Sequence, residues 1–338
     1  MVFKNVELHN VYELEKHKEK DGYVCLRMPV AVRDQLEMGM SEMVSRSGKA
    51  TEIRFVMLSD TVTIKFAKFD KSSNHLHSVN IFYGGIQGTW KDDHRYLNGE
   101  IDEITIEKPK NMSFLKAASN LYADVWNPEV VRVIFNGGYY VLLNIEGDVR
   151  PPYKEETPQK KLMTYGSSIT HGSSAMDSSH AWANWLAHSL GMDLINHAMS
   201  GSCAMEPALV EFIAEQGEQG NWDMGILELG INVLNWEDSK ITERVKNTIT
   251  QIAGRNQDKP IYVISPLYCS NDFHEKNQAQ KWRNIIKDTI DELNYKNVTY
   301  INGLDLIGDA KYLSADEVHP NIYGCQKIAD DLLKIINN

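Results

Sequence analysis

No apolar run in this 338-residue chain reaches the ~18 residues that a membrane-spanning helix needs. The first stretch, MVFKNVELHNVYELEKHKEKDG, lacks the apolar core and small-residue cleavage site of a secretory signal. Both absences point to a cytoplasmic protein without a membrane partner. Basic clusters are missing too. The 35 Lys and Arg face 46 Asp and Glu, a net charge of −11. Such a chain repels phosphate backbones and anionic lipid, which argues against nucleic acid as a main partner. Cysteine is scarce. Cys25, Cys203, Cys269 and Cys325 lie far apart and form no CxxC pair, so no structural zinc site is expected and the thiols should be reduced and buried. There is no internal repeat or low-complexity tract.

What is present is an ordinary globular composition, 42% apolar and 24% charged, on a chain long for one core. Two domains are therefore expected. The first half alternates with period two. In TEIRFVML, Ile53, Phe55 and Met57 share one side of a strand; in TVTIKFAKF, Val62, Ile64 and Phe66 do the same. SVNIFYGG, GEIDEITIEKP and VVRVIFNGGYYVLLNIEG continue the pattern, with Gly, Asn and Asp between runs. Short strands without helices between them predict an antiparallel sandwich with its outer faces in water. One helix is expected there, VRDQLEMGMSEMVSRSG, ended by Gly48.

The pattern changes after GDVRPPYKEETPQKK, a charged, Pro-rich stretch without periodicity that puts a domain boundary near residue 155. Domains of 1–155 and 156–338 follow. Beyond the boundary, the apolar runs KLMTY, DLINHA, MGILELG, PIYVISPL and NVTYINGL alternate with amphipathic helices. In AWANWLAHSLG, helical spacing puts Trp182, Trp185, Leu186 and Ser189 on one face, with Gly191 as the stop. Strand and helix in alternation predict a parallel sheet covered on both sides, an α/β fold whose ligands gather at the carboxyl ends of its strands.

Chemistry-bearing residues do follow these runs. Ser167 and Ser168 lie in YGSSITHG, Gly201 in NHAMSGSCAM, Asn232 in LELGINVLN, and Asp316 and His319 in YLSADEVHPN. A serine hydroxyl is a weak nucleophile until a base takes its proton, and imidazole held by a carboxylate suits that task. Asp316 and His319 are close enough in sequence for one turn to join them, with Pro320 set to start the last helix. The amides of Ser168 and Gly201 and the side-chain amide of Asn232 are donors suited to an oxyanion. Against this stand ordinary roles. Serine is common in turns, and Asn232 alone fits an Asx-turn. His171 and His197 also lie near strand ends, but neither has an Asp at short spacing before a Pro-started helix, and Cys203 has no base of its own. GSSITHG lacks the lysine of a phosphate loop.

Together the blocks resemble the SGNH (GDSL-type) hydrolases, whose Ser, Gly, Asn and His blocks occur in this order. The likeness spans roughly residues 160 to 338. It implies a flavodoxin-like domain with a five-stranded parallel sheet, Ser168 as nucleophile, His319 as base, Asp316 as its orienting acid, and Gly201 and Asn232 in the oxyanion hole. There are two departures. Ser167 stands where the family has Asp, and Val233 where it has the Asp after Asn. YGSSITHG, SGSCAMEP, LELGINV and VISPLYC, behind EIRFVMLSDTVTI and EGDVRPP, are further similar to the SsfX3-type branch. That resemblance covers nearly the whole chain and implies an N-terminal jelly-roll-like sandwich.

The function this implies is a serine esterase for short acyl, chiefly acetyl, esters of carbohydrate-like alcohols, a small-molecule substrate requiring neither metal nor cofactor. An acyltransferase using the same site is the alternative. A third reading is a carbohydrate-binding protein on an inactive scaffold, with Trp90 or Trp126 as exposed platforms. The first half could equally narrow the site's mouth or join copies into a homo-oligomer.

Overall fold

Two antiparallel sheets account for Met1–Val30 and Ser45–Gln159, the first of two units into which the chain divides. The computed structural model describes residues 1–70, 77–121 and 124–338. The larger sheet runs Val2–Phe3, Val6–His9, Glu52–Met57, Val130–Phe135, His77–Tyr83 and Ile86–Gln87, with Val149–Arg150 and Arg95–Leu97 paired off its path. The smaller runs Ile101–Glu107, Thr61–Lys68, Tyr140–Glu146, Tyr23–Leu26 and Glu13–Lys16. Alternation supplies the core between them: Ile53, Phe55 and Met57 from one sheet meet Val62, Ile64 and Phe66 from the other.

Three local expectations are corrected. The Glu52–Met57 strand is buried on both faces. Its outer face carries Glu52, bonded to Arg54 Nε at 2.7 Å and to Arg132 Nη2 at 2.6 Å, and Trp126 lies over both guanidiniums. Trp126 is thus buried, not a platform, whereas Trp90 is 83% exposed. The single helix expected before Gly48 is two short turns, Val30–Arg33 and Ser41–Ser45, because residues between them bond elsewhere. Finally, Met112–Leu121 is a helix that the β-rich pattern around it concealed.

The second unit comprises Ala31–Val44 and Lys160–Asn338. Its strands are β1 (Lys161–Tyr165), β2 (Asp193–Asn196), β3 (Met224–Glu228), β4 (Ile261–Ile264) and β5 (Val298–Ile301), all parallel, in the order β2-β1-β3-β4-β5. This is the flavodoxin-like order. The strands read as apolar runs because helices bury both faces of the sheet. A short helix α1 (Ser168–His171) follows β1, then α2 (Trp182–Ser189), α3 (Pro207–Glu218), α4 (Asp238–Arg255), α5 (Gln278–Leu293) and α6 (Ile322–Asn337). α2 packs on α6, and α4 packs on both α3 and α5. Trp182 and Leu186 of α2 face the core as predicted; Ala183 and Ala187 complete the stripe, and Ser189 is exposed. Asn321, not Pro320, caps α6 by accepting from the Gly324 amide at 3.0 Å.

Candidate active site

Ser168 stands at the carboxyl end of β1, where the chain turns from strand to helix. Gly166 makes the turn possible. A Cβ there would collide with Thr170 Oγ1 and come within 2.8 Å of Glu228 Oε2. Ser167 then caps α1, its Oγ accepting from the Ile169 amide at 3.1 Å. That same hydroxyl donates to Glu228 Oε2 at 2.6 Å, and the Ser167 amide donates to it at 2.8 Å. Ser167 is buried, while the next residue, Ser168, keeps an accessible side chain.

The loop before α6 brings up the partner groups. A bridge between Leu313 and Pro320 and a bond from the Ser314 amide to the His319 carbonyl at 2.8 Å close a tight loop. Asp316 organises it. Its Oδ1 accepts from Ser314 Oγ at 2.7 Å and from the amides of Val318 and His319 at 3.0 and 2.9 Å. Its Oδ2 meets His319 Nδ1 at 2.7 Å. Partial burial disfavours the charge, but these bonds outweigh it and hold the Asp316 carboxyl well below the usual carboxylate range. An ionised carboxylate only accepts, so His319 Nδ1 carries the proton and Nε2 presents a lone pair. That nitrogen lies 2.7 Å from Ser168 Oγ, which therefore donates to it. The contiguous Ser–His–Asp chain has the connectivity needed to activate a hydroxyl.

Among the described residues, neither the Ser168 amide, the Gly201 amide nor Asn232 Nδ2 donates to another protein group. Gly201 has φ +68°, a conformation that suits glycine. Its loop is tied to the β1 turn by the Met199 amide, which donates to the Gly166 carbonyl at 2.7 Å. Asn232 Oδ1 accepts from the Cys203 amide at 3.0 Å, which leaves the Asn232 NH2 turned away as a free donor. Such donors can hold developing negative charge.

Comparison with known proteins decides the family. Residues 159–337 match the model of the GDSL-like lipase/acylhydrolase family. The chain belongs to that family. No curated protein matches it. Among solved structures, the salicylyl-acyltransferase SsfX3 from a tetracycline biosynthetic pathway shares 14% identity at a TM-score of 0.75, over 99% of this chain and 94% of its own. A family two carbohydrate esterase from Cellvibrio japonicus shares 12% at 0.59, over 98% and 94%. The acetyl xylan esterase Est2A from Butyrivibrio proteoclasticus shares 13% at 0.54, over 85% and 89%. At these identities the likeness is one of fold. Family membership makes the protein an ester hydrolase by class.

Both departures from the GDSL-like pattern have local reasons. Ser167 is fully buried against Glu228, so an Asp would press a second carboxylate on the first. Val233 is fully buried and its carbonyl accepts from Trp282 Nε1 at 3.0 Å, leaving no solvent for an acid.

Sequence reasoning missed Glu228. Its Oε2 takes three donors, Thr170 Oγ1 at 3.1 Å being the third, and its buried Oε1 has no partner among the described residues. Burial raises its carboxyl above the ordinary value, opposed by the Ser167 and Thr170 donors and by His319. The signal was a glutamate inside the apolar run MGILELG. Also missed was a second pair at the same spacing, Asp177 and His180, with Nδ1 2.7 Å from Oδ1. Among the described residues no serine hydroxyl meets His180 Nε2. His171 and His197 are buried, the latter edge-on to Phe212. Cys203 is buried, and burial followed by the charge of Glu228 pushes its thiol well above its ordinary value, which suits an inert thiol. Among the described residues of this unit no three His, Cys, Asp or Glu side chains cluster closely enough to hold an ion.

Proposed function

We propose that the protein is a serine esterase that removes short acyl groups, acetyl first, from carbohydrate-like alcohols. The observation that carries this reading is the unbroken chain from Ser168 Oγ to His319 Nε2 and from His319 Nδ1 to Asp316, each link 2.7 Å. Ser168 Oγ attacks the ester carbonyl as its proton passes to His319 Nε2. The carbonyl π pair moves to oxygen, where the Ser168 and Gly201 amides and Asn232 Nδ2 receive it. Collapse breaks the bond to the alcohol, and His319 returns the proton to that leaving oxygen. Water then attacks the acyl-serine with His319 again as base, releasing the acid and restoring Ser168. Asp316 keeps the imidazole in the productive tautomer and balances the imidazolium. In this reading catalysis belongs to 156–338, and no metal or cofactor is needed.

The substrate class draws support from two carbohydrate esterases sharing the fold. A second reading has the same acyl-serine pass its group to an alcohol in place of water. The 99% coverage by the SsfX3 acyltransferase structure favours keeping it. The sandwich unit is available for carbohydrate contact through exposed Trp90.

The test is hydrolysis of p-nitrophenyl acetate by wild type and Ser168→Ala, with and without added alcohols. Turnover that vanishes in the variant is expected. Equal turnover in both would refute Ser168 as nucleophile, and acyl transfer to the added alcohol in preference to water would favour the second reading.

A further inference from the structure

We infer that Met40 is a specificity-determining residue that fences the acyl side of the oxyanion loop, held there by Glu206. This rests on the serine-esterase reading. The segment Ala31–Val44 leaves the sandwich sequence between the strands Tyr23–Leu26 and Glu52–Met57, yet it packs as part of the second unit. Its anchor is Glu206, a carboxylate only 2% exposed. Glu206 Oε1 accepts from the backbone amides of Glu37 and Met38, the latter at 2.8 Å, and Oε2 lies 3.4 Å from Ser41 Oγ. Arg244 reinforces the join by donating to Glu37 Oε2 at 3.2 Å and to the Met205 carbonyl at 3.4 Å.

Glu206 lies on the same loop as Gly201, so the anchor sets the strap against the oxyanion donor. The contact is close. A Cβ built on Gly201 would come within 2.9 Å of Met40 Sδ and 3.3 Å of its Cε. Met40 is nevertheless 46% exposed, an apolar side chain kept at the surface beside the reacting centre. When a carbonyl oxygen sits on the Gly201 amide, the nearest substrate atoms are the acyl α-carbon and the ester oxygen. A thioether offers little to a polyhydroxylated alcohol but suits an alkyl group. The strap thus borders the acyl chain. A methyl group fits beneath it, and each further methylene must displace the methionine.

The experiment compares kcat/KM for p-nitrophenyl acetate, butyrate and octanoate in wild type, Met40→Ala, Glu206→Ala and Glu206→Gln. Removing the fence should raise the octanoate-to-acetate ratio about tenfold, two methylenes' worth of apolar contact. Glu206→Ala, which frees the strap, should move the ratio the same way, and Glu206→Gln, which keeps an oxygen acceptor, should move it less. A merely structural role would scale all three substrates together, and that result in Met40→Ala overturns the inference while leaving the esterase reading intact. A wild type inert to all three esters overturns the reading and the inference with it.

Discussion

Ser167 Oγ donates to Glu228 Oε2 at 2.6 Å, with both side chains buried at the root of the turn that presents Ser168. The neutral hydroxyl is the complement of the carboxyl. Restoring the family's usual residue, Ser167→Asp, should therefore destabilise the protein by about 3–5 kcal/mol through an unrelieved buried charge. Adding Glu228→Gln should recover at least about 1 kcal/mol. Urea unfolding of the four members of this cycle measures the coupling, and strict additivity would contradict it.

The same carboxyl carries a pH signature. Glu228 is raised in the folded state by burial, so the folded protein binds its proton more tightly than the unfolded chain does. Its stabilising contribution is complete below the unfolded value of about 4.3 and is lost as pH rises through the folded value. Glu228→Gln lacks this loss. The melting temperature of the variant relative to wild type should climb with pH across the weakly acidic range; a difference that stays flat would show no raised carboxyl.

Asp316 behaves in the opposite sense. It is held low by its own loop, against the opposing effect of partial burial, so its stabilising contribution is present above an unfolded value of about 3.9 and fades as pH falls towards the folded value. Asp316→Asn should lower kcat by about 10³–10⁴ by releasing the tautomer. The thermal penalty of that substitution should shrink in acid. Steady-state kinetics with melting curves at several pH values separates the two effects.

Much of this site was legible in sequence because each block follows an apolar run, and parallel strands deliver their carboxyl ends to one edge. Ser168 and His319, 151 positions apart, meet for that reason. Asp316 was readable from local spacing alone. Glu228 was visible only as an acid among Ile and Leu, and its partner could not be named because Ser167 lies 61 positions earlier, in the turn after β1. Trp126 misled. An aromatic in a β-rich half looks like a platform, and only the convergence of Arg54 and Arg132 shows why it is buried. Glu206 left no trace, since its donors come from a segment about 170 positions earlier, separated by 169 residues from Glu37 and 168 from Met38.

Asn232 offers a cleaner dissection of the proposed oxyanion donors. Asn232→Asp keeps an oxygen for the Cys203 amide but replaces the outward donor with an acceptor. Its kcat on p-nitrophenyl acetate should fall by about 10²–10³ or more with little change in melting temperature. An unaffected kcat would remove Asn232 from the hole.

In the sandwich, Glu52 balances two guanidiniums, each side chain at least largely buried. Burial opposes its charge, yet Arg132 and Arg54 hold it well below the ordinary carboxylate value. Glu52→Ala removes the carboxylate that both cations share beneath Trp126 and should cost about 3–5 kcal/mol of stability in urea unfolding. A loss below about 1 kcal/mol, the worth of an exposed pair, would mean the network is solvated.

The strap from Ala31 to Val44 also bears on how this architecture can be cut and recombined. A cut between Gln159 and Lys160 would split the second unit, leaving its Ala31–Val44 segment on the upstream side. The downstream fragment would keep Ser168, Asn232 and His319, yet it would carry Glu206 as a buried acid stripped of its backbone donors. The two halves are therefore not interchangeable cassettes. Any graft of this hydrolase onto a different leading domain must bring a fourteen-residue passenger with it.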